Sequence, residues 1–247
     1  MEKTQTNRFV QSYRVGIKND LPAIMDYVQQ ACLHHTYSTP GGMKFYDDAQ
    51  LAWVLTHWQV EIASLPQIAD VINVETWSAG HKGFFGERGF DVKGADGKTI
   101  INANSNWMLV SRQNLKPARP KDEIAQKYGE PSPLLIKKDF AMPKVEDFEH
   151  FASHKYKVTK RDIDDNDHVN NISYLTWVWD LIELEEGKEV PTGLKVAYKK
   201  EVLLNDVVEI NLYKRGEYEV FVIIENDEKI ATEIYLSWKK ENGESLS

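Results

Sequence analysis

The sequence predicts an α+β fold built from two similar halves. Each half contains one apolar helix and a series of strand-like runs, and these elements follow the same order in both. A segment rich in proline and charged residues lies between them. Because a repeated order of elements is typical of a duplicated domain, we predict an N-terminal half over residues 1–112, a linker over 113–151 and a C-terminal half over 152–247.

The N-terminal half begins with a helix that its cap and its periodicity predict. Asp20 can accept hydrogen bonds at the helix start, Pro22 suits the first turn, and apolar residues recur at helical spacing as far as Cys32. Asp96-Gly97 marks a hairpin between the last two of the strands that follow. These strand-like runs span residues 51–62, 71–77, 83–93 and 99–111.

The C-terminal half repeats this order around a helix that is apolar on nearly every side. We predict this helix from about Asn170 to Glu185, after a strand over residues 154–160. Four strand-like runs follow, over residues 194–204, 207–215, 218–225 and 229–240. A helix with so few polar residues in its middle turns must be buried, and antiparallel strands curling around it would cover it.

Composition excludes several classes of function. The net charge of -8 and the pI near 5.4 disfavour nucleic acid as a partner, because phosphate binding needs a basic surface. No apolar run approaches the ~18 residues that cross a bilayer, and the N-terminus lacks the apolar core of a signal peptide, so we expect a cytoplasmic protein without membrane contact. The single cysteine, Cys32, cannot form an intrachain disulfide, and no zinc-type spacing of ligands occurs.

The segment before the second helix is the most informative part of the sequence. In an extended conformation its alternating polar side chains would project to one side. Free backbone N–H groups at the helix start, around residues 168–170, would suit a developing oxyanion, and an imidazole there could act as acid or base. Alternatively, the Asp and Asn residues only cap the helix and turn the chain before it. The alternating residues are Asp162, Asp164, Asn166 and His168.

The pattern D-x-N-x-H-V-N-N-x-x-Y, from Asp164 to Tyr174, resembles the active-site signature of acyl-acyl carrier protein thioesterases of plants and bacteria. Residues 53–62, 103–110 and 196–202 also resemble segments of that family, in unchanged order along nearly the whole chain. The resemblance implies a double hotdog fold, in which each half is an antiparallel sheet wrapped around a long helix. It also implies hydrolysis of fatty acyl-acyl carrier protein to a free fatty acid, in fatty acid biosynthesis.

The resemblance further implies four catalytic residues: Asp164, Asn166, His168 and Glu201. We expect Glu201 on the strand after the helix; without the resemblance it would be taken as an exposed partner of neighbouring lysines. Val202 stands where many plant members have a cysteine, so a sulfur nucleophile is not expected here. Cys32 is interpreted as a small buried hydrophobe, and Arg88 as an exposed strand arginine.

The expected substrate contacts lie in both halves. An acyl chain would occupy an apolar cavity of the N-terminal half beside Met25 and Val28, and the acidic carrier would dock on a local basic patch. The patch comprises Lys199 and Lys200 together with Lys160, Arg161 and Lys195. Such lysines could instead be merely solvated on strand faces. No metal or organic cofactor is needed, and a homodimer is left open.

Two alternative functions remain open from the sequence. A hotdog thioesterase acting on acyl-coenzyme A would recognise the same phosphopantetheine arm. A catalytically silent acyl-binding module would keep the apolar cavity but would not need Asp164 and Glu201 together. The sequence leaves undefined the preferred chain length, and it does not say which carboxylate acts as base.

Overall fold

The computed structural model describes residues 8–182 and 190–239, which group into two compact units. Within the described part, unit 1 comprises residues 8–56 and 63–138, and unit 2 comprises residues 57–62, 139–182 and 190–239. None of the helices in these ranges is long and apolar enough to cross a membrane.

Unit 1 consists mainly of an antiparallel sheet and a long helix. Its elements are β1 (Phe9–Arg14), α1 (Leu21–Ser38), α2 (Gly42–Asp48), β2 (Leu51–Ile62, of which residues 57–62 belong to unit 2), β3 (Val71–Lys82), β4 (Phe85–Lys93), β5 (Thr99–Ser111) and α3 (Asp122–Gln126). The strands follow the order β1-β3-β4-β5-β2. The strands predicted at 51–62 and 99–111 are confirmed, whereas β1, α2 and α3 were not predicted.

Helix α1 carries the signals that predicted it. The Asp20 carboxylate accepts a hydrogen bond from the backbone N–H of Ala23 at 2.9 Å, which satisfies one of the unpaired donors of the first turn. Residues of its apolar stripe, among them Ile24, Met25 and Val28, are fully buried. Each such side chain contributes roughly 1.5–3 kcal/mol by leaving water, so this stripe holds α1 against the rest of unit 1.

Unit 2 has the same kind of architecture around a shorter helix. Its elements are β6 (Glu149–Lys157), α4 (Asn171–Leu181), β7 (Gly193–Tyr198), β8 (Val207–Arg215), β9 (Glu219–Asn226) and β10 (Lys229–Ser237), with short 3-10 turns at Val145–Asp147 and Lys160–Asp162. The strands follow the order β7-β10-β9-β8-β6, and residues 57–61 of β2 pair with β7.

Helix α4 provides the core of unit 2 and differs in part from its prediction. Tyr174, Trp177 and Val178 are buried, as expected of an apolar helix. The helix ends at Leu181, and the predicted continuation to Glu185 lies outside the described residues from 183 onward. Strand β7 is shorter than predicted because it ends at Tyr198, so residues 199–204 are not part of a strand.

The predicted linker contains ordered structure. Helix α3 lies within it, and Ile124, Tyr128 and Ile136 are buried. Residues 113–138 group with unit 1 and residues 139–151 with unit 2. The linker boundaries at 113 and 151 therefore stay a prediction. Some residues between them are buried and so contribute to the hydrophobic core.

Candidate active site

A short loop at the start of α4 brings together most of the predicted catalytic residues. Residues 163 and 169 form an isolated β-bridge, and the backbone N–H of Asp164 donates to the carbonyl of His168 at 2.8 Å. Between them the chain reverses, and Asp167 adopts a left-handed φ of 64°. The predicted extended conformation over 164–168 is therefore wrong, because a tight turn forms there in its place.

The Asp164 carboxylate holds this turn together. Its Oδ1 accepts hydrogen bonds from the backbone N–H of Asn166 at 2.8 Å and, weakly, of His168 at 3.4 Å. Its Oδ2 accepts from the Asn166 side-chain amide at 3.3 Å. Carboxylates that accept from the backbone two residues on are typical of turns, so Asp164 shapes the loop and orients Asn166. Asn166 is exposed.

Asp162 does not share the face of the other three polar residues. Its side chain is buried and accepts hydrogen bonds from Tyr156, Thr159 and Trp177. Its backbone carbonyl accepts from the N–H of Asn170 at 2.7 Å. Asp162 therefore anchors the loop to α4 and to β6, and lies away from solvent.

His168 and Glu201 form the second pair of the site. Their side chains meet with 3.2 Å between Nε2 and Oε2, and both are accessible, at 38% and 53% exposure. Glu201 lies after the end of β7, so its predicted place on a strand is wrong. A β-bridge between His168 and Leu203 brings the two segments together. A proton on Nε2 would allow a hydrogen bond to the Glu201 carboxylate, and in the neutral ring it would leave Nδ1 as an acceptor.

The backbone N–H groups proposed for an oxyanion are already engaged. That of Val169 donates to the carbonyl of Val202 at 3.0 Å, and that of Asn170 donates to the carbonyl of Asp162 at 2.7 Å. The N–H of His168 faces the Asp164 carboxylate. The predicted oxyanion site at residues 168–170 is therefore wrong, because loop closure uses the same donors.

The sequence reasoning assigned no role to two residues near Glu201 or Lys199, namely Tyr174 and His57. Burial, and after it the charge of Glu201, raises the pKa of Tyr174, which stays a neutral phenol. Burial and the Lys199 ammonium lower the pKa of His57, while Glu233 opposes them. Tyr174 belongs to the signature that was quoted, but a lone histidine in a strand carried no signal that could single out His57.

The lysines of the expected patch differ in their surroundings. Lys195 contacts Asp139 at 2.6 Å and Lys199 contacts Glu233 at 2.5 Å. Lys200 donates to the carbonyl of Asn226 at 3.2 Å. The carboxylates of Asp139 and Glu233 offset the charges of Lys195 and Lys199, so the lysines around Glu201 form a weaker basic patch than expected. By contrast, Lys160 and Arg161 are exposed beside the loop.

The predicted residues of unit 1 are buried. Met25 and Val28 are fully enclosed on α1, and Cys32 is 8% exposed, as expected of a buried hydrophobe. Burial raises the pKa of the Cys32 thiol, which therefore stays protonated. The interpretation of Arg88 as an exposed strand residue is wrong, because Arg88 is only 6% exposed and contacts His35.

Metal ions are usually held by three or more histidine, cysteine, aspartate or glutamate side chains. Residues 8–182 and 190–239 contain no such group. The four predicted catalytic side chains supply two carboxylates, one amide and one imidazole. Together they can orient a water molecule, accept its proton and donate a hydrogen bond to a carbonyl oxygen.

Comparison with protein families identifies both parts of the chain. The model of the acyl-ACP thioesterase N-terminal domain matches residues 2–128, and that of the acyl-ACP thioesterase C-terminal domain matches residues 145–240. The four predicted catalytic residues lie within the second match.

Curated relatives point the same way. The chain is 28% identical over 223 residues to oleoyl-acyl carrier protein thioesterase 2, chloroplastic, of Arabidopsis thaliana, covering 81% of this chain and 60% of the relative. It is 27% identical over 251 residues to a chloroplastic acyl-[acyl-carrier-protein] hydrolase of Cuphea viscosissima, covering 90% and 59%. The chain thus spans about three fifths of the length of these relatives.

Solved structures confirm the predicted α+β fold of the double hotdog type. An acyl-ACP thioesterase from Bacteroides thetaiotaomicron matches with a TM-score of 0.81 at 20% identity, covering 96% of this chain and 100% of its own. A 12:0-ACP thioesterase from Umbellularia californica matches with a TM-score of 0.79 at 18% identity, covering 94% and 97%.

Proposed function

The chain belongs to the acyl-acyl carrier protein thioesterase family, and we propose that it hydrolyses a fatty acyl thioester of acyl carrier protein. The products would be a free fatty acid and the carrier's thiol, as in fatty acid biosynthesis. The observation that carries this proposal is the contact between His168 and Glu201 beside the turn held by Asp164. The cytoplasmic location stays a prediction, and a homodimer stays open.

We assign the role of general base to His168. With its Nε2–H directed at Glu201, the Nδ1 atom can accept a proton from water as that water attacks the thioester carbon. Glu201 would hold the ring in this tautomer and stabilise the imidazolium that forms. The tetrahedral intermediate then expels the thiolate, which takes the proton from the imidazolium. One water molecule is consumed, and one acid and one thiol are produced.

Asn166 is the proposed donor to the carbonyl oxygen. An amide has two N–H bonds, and in the described residues Asn166 directs its nitrogen to a single partner, Asp164, at a long 3.3 Å. The other N–H can bind an oxyanion without breaking the turn. Asp164 would then position this amide and would not act as the base.

Hydrolysis assays with a matched pair of variants test this assignment. Glu201→Gln keeps the shape but cannot stabilise an imidazolium, so we expect kcat to fall by about a hundredfold or more. Glu217→Gln, at an exposed turn of unit 2, should leave kcat unchanged. A folded Glu201→Gln protein with full activity would refute the role of this pair.

The same assay separates the alternative functions. Purified protein would be given one acyl group either on acyl carrier protein or on coenzyme A. We expect a higher kcat/KM with the carrier. A preference for coenzyme A would favour the second class of thioesterase, and binding without hydrolysis of either substrate would indicate a silent acyl-binding module.

A further inference from the structure

Two exposed turns of unit 1 carry large apolar side chains. The first turn joins β3 to β4, and Phe84 and Phe85 at its end are each 37% exposed. The second turn follows β5, and its Leu115 is 66% exposed. Singly exposed apolar residues are ordinary, whereas several grouped in one place indicate a contact surface.

The two turns lie next to each other beside the end of β5. The backbone N–H of Leu109 on β5 donates to the carbonyl of Phe84 at 3.0 Å, and the N–H of Ala118 donates to the carbonyl of Leu109 at 2.8 Å. Leu115 precedes Ala118 by three residues, so at about 3.4 Å per residue it lies within roughly 10 Å of Ala118. The apolar side chains of both turns are therefore close enough to contact one partner together.

Leu115 occupies a backbone conformation that its side chain does not favour. Its φ of 55° lies in the left-handed region, where glycine and asparagine are common and leucine is unusual. An asparagine would form this turn with less strain and would not expose an apolar side chain to water. The turn itself therefore gives no reason for a leucine, whereas contact with an apolar partner would.

Cations lie beside both turns. The Arg119 guanidinium lies 5.6 Å from the centre of the Phe84 ring. Lys82 ends β3 directly before the first turn, Lys116 follows Leu115, and all three cations are exposed. In the part of the chain that the structure describes, none of these three cations forms an ion pair. Their charges are therefore available to an anionic partner.

The sequence around the two turns contains no acidic residue. Neither residues 76–86 nor residues 98–121 include an aspartate or a glutamate, although the whole chain has a net charge of -8. Asp122 and Glu123 are exposed at the start of α3, so Lys121 beside them is not counted with the three cations. Salt confines the field of a surface charge to about 8–10 Å, so the local charges determine which partner is attracted.

We propose that the two turns form a binding surface for an anionic lipid bilayer, which the chain contacts from one side without crossing it. This tip surface comprises three apolar side chains and three cations: Phe84, Phe85, Leu115, Lys82, Lys116 and Arg119. The apolar side chains would enter the boundary between headgroups and acyl chains, while the cations contact the lipid phosphates. This inference goes beyond the proposed hydrolysis and does not depend on it.

A bilayer fits this arrangement better than a protein partner does. Protein interfaces need a packed core whose shape matches the partner, whereas a fluid bilayer accepts short apolar turns of any shape. The acidic carrier protein is the alternative partner that an experiment has to exclude. The expectation of no membrane contact rested on the lack of a spanning run and of a signal peptide, and apolar residues on separate turns form neither.

Sedimentation of the full chain with lipid vesicles tests the tip surface directly. Vesicles of phosphatidylcholine alone would be compared with vesicles of equal parts phosphatidylcholine and phosphatidylglycerol at low salt. Each cation near an anionic surface strengthens binding about fivefold, so we expect the anionic vesicles to bind about tenfold more tightly or better. Added salt should weaken this binding. No binding to the anionic vesicles, or equal binding to both kinds, would overturn the proposal.

A matched pair of double variants assigns the binding to the tip surface. Phe84→Ser/Arg119→Gln removes one apolar side chain and its cation, and should weaken binding to anionic vesicles about tenfold. Phe151→Ser/Lys214→Gln removes a comparable exposed pair from unit 2, in which Lys214 Nζ lies 5.8 Å from the centre of the Phe151 ring. This control should bind the vesicles as wild type does. Equal binding by the two double variants would overturn the proposal.

Leu115→Asn tests the second turn without endangering the fold. Asparagine suits the left-handed φ, so the midpoint of urea unfolding should not fall. Binding to anionic vesicles should nevertheless weaken severalfold, because an apolar contact with the bilayer is lost. Unchanged vesicle binding by the folded Leu115→Asn protein would contradict the role of this turn and overturn the proposal.

Hydrolysis assays without lipid separate the bilayer from the acidic carrier. Phe84→Ser/Arg119→Gln should leave kcat/KM for a carrier-linked substrate unchanged. A fall in this kcat/KM, with vesicle binding unaffected, would assign the tip surface to the carrier and overturn the proposal. Protein that binds anionic vesicles through the tip surface but hydrolyses no thioester would refute only the proposed function. Protein that hydrolyses acyl thioesters but does not bind these vesicles would refute only this inference.

Discussion

Replacing Asp162 with alanine should destabilise unit 2 although Asp162 is not proposed to touch substrate. Its carboxylate accepts from Trp177 Nε1 at 2.9 Å, from the backbone N–H and hydroxyl of Thr159 at 2.7 Å each, and from the Tyr156 hydroxyl at 3.1 Å. These bonds connect β6, the loop before α4 and α4 itself. Asp162→Ala removes the acceptor of all four donors at once.

The size of the effect follows from which donors can reach water after the substitution. Thr159 is exposed and Tyr156 is half-buried, so their groups can be hydrated. Trp177 is only 4% exposed, and its indole N–H would stay unsatisfied at a cost of about 1–3 kcal/mol. Adding the loss of a charge-assisted hydrogen bond, we expect Asp162→Ala to lower the free energy of unfolding by about 3 kcal/mol.

Urea unfolding monitored by circular dichroism measures this change. The midpoint should fall while the slope m stays constant, which indicates a change in stability alone. Asp165→Ala, at an exposed position of the same loop, should change stability by less than about 0.5 kcal/mol. Equal effects of the two substitutions would contradict the reasoning.

A double-mutant cycle identifies the donor responsible. In a Trp177→Phe background the buried N–H is already absent, so Asp162→Ala should destabilise by at least 1 kcal/mol less, on the order of a typical coupling energy. Strict additivity of the two substitutions would refute the argument.

The contribution of Asp162 should also depend on pH. Burial opposes ionisation, but the hydrogen bonds from Thr159, Trp177 and Tyr156 outweigh it and hold the pKa of Asp162 below its ordinary value. The stabilisation is therefore fully present above the unfolded-state pKa of about 3.9 and is lost as pH falls through the lower folded-state pKa. The stability difference between wild type and Asp162→Ala should shrink in that acidic range.

Three further predictions concern catalysis and substrate. Cys32→Ala should keep nearly full kcat/KM, because its thiol is buried and its pKa raised; loss of turnover in folded protein would restore a sulfur mechanism. Val28→Phe should shift hydrolysis toward shorter acyl chains in a chain-length series, since overfilling a packed apolar region excludes methylenes; unaltered selectivity would place the acyl cavity elsewhere. Replacing both Lys160 and Arg161 with glutamate should lower kcat/KM for the carrier-linked substrate at low salt and leave acyl-coenzyme A hydrolysis unchanged. Equal losses on both substrates would exclude docking of the carrier at these two residues.

Local signals in the sequence predicted most of the fold. The cap at Asp20, the helical spacing of apolar residues after it and the strand-like run over residues 51–62 depend on neighbours in the chain, and all three appear as predicted. The signature from Asp164 to Tyr174 located the loop to which we assign catalysis, because its residue types and their order are themselves local. The sequence also predicted that Cys32 is buried.

Tertiary packing determined how the distant groups meet. The contact of His168 with Glu201 joins residues 33 positions apart and depends on the bridge between the loop and the segment after β7. The burial of Arg88 against His35, and the pairing of Lys199 with Glu233, likewise depend on which strand faces lie together. A sequence shows the charge that a side chain carries but not the group opposite it, because only the folded chain brings the two within hydrogen-bonding distance.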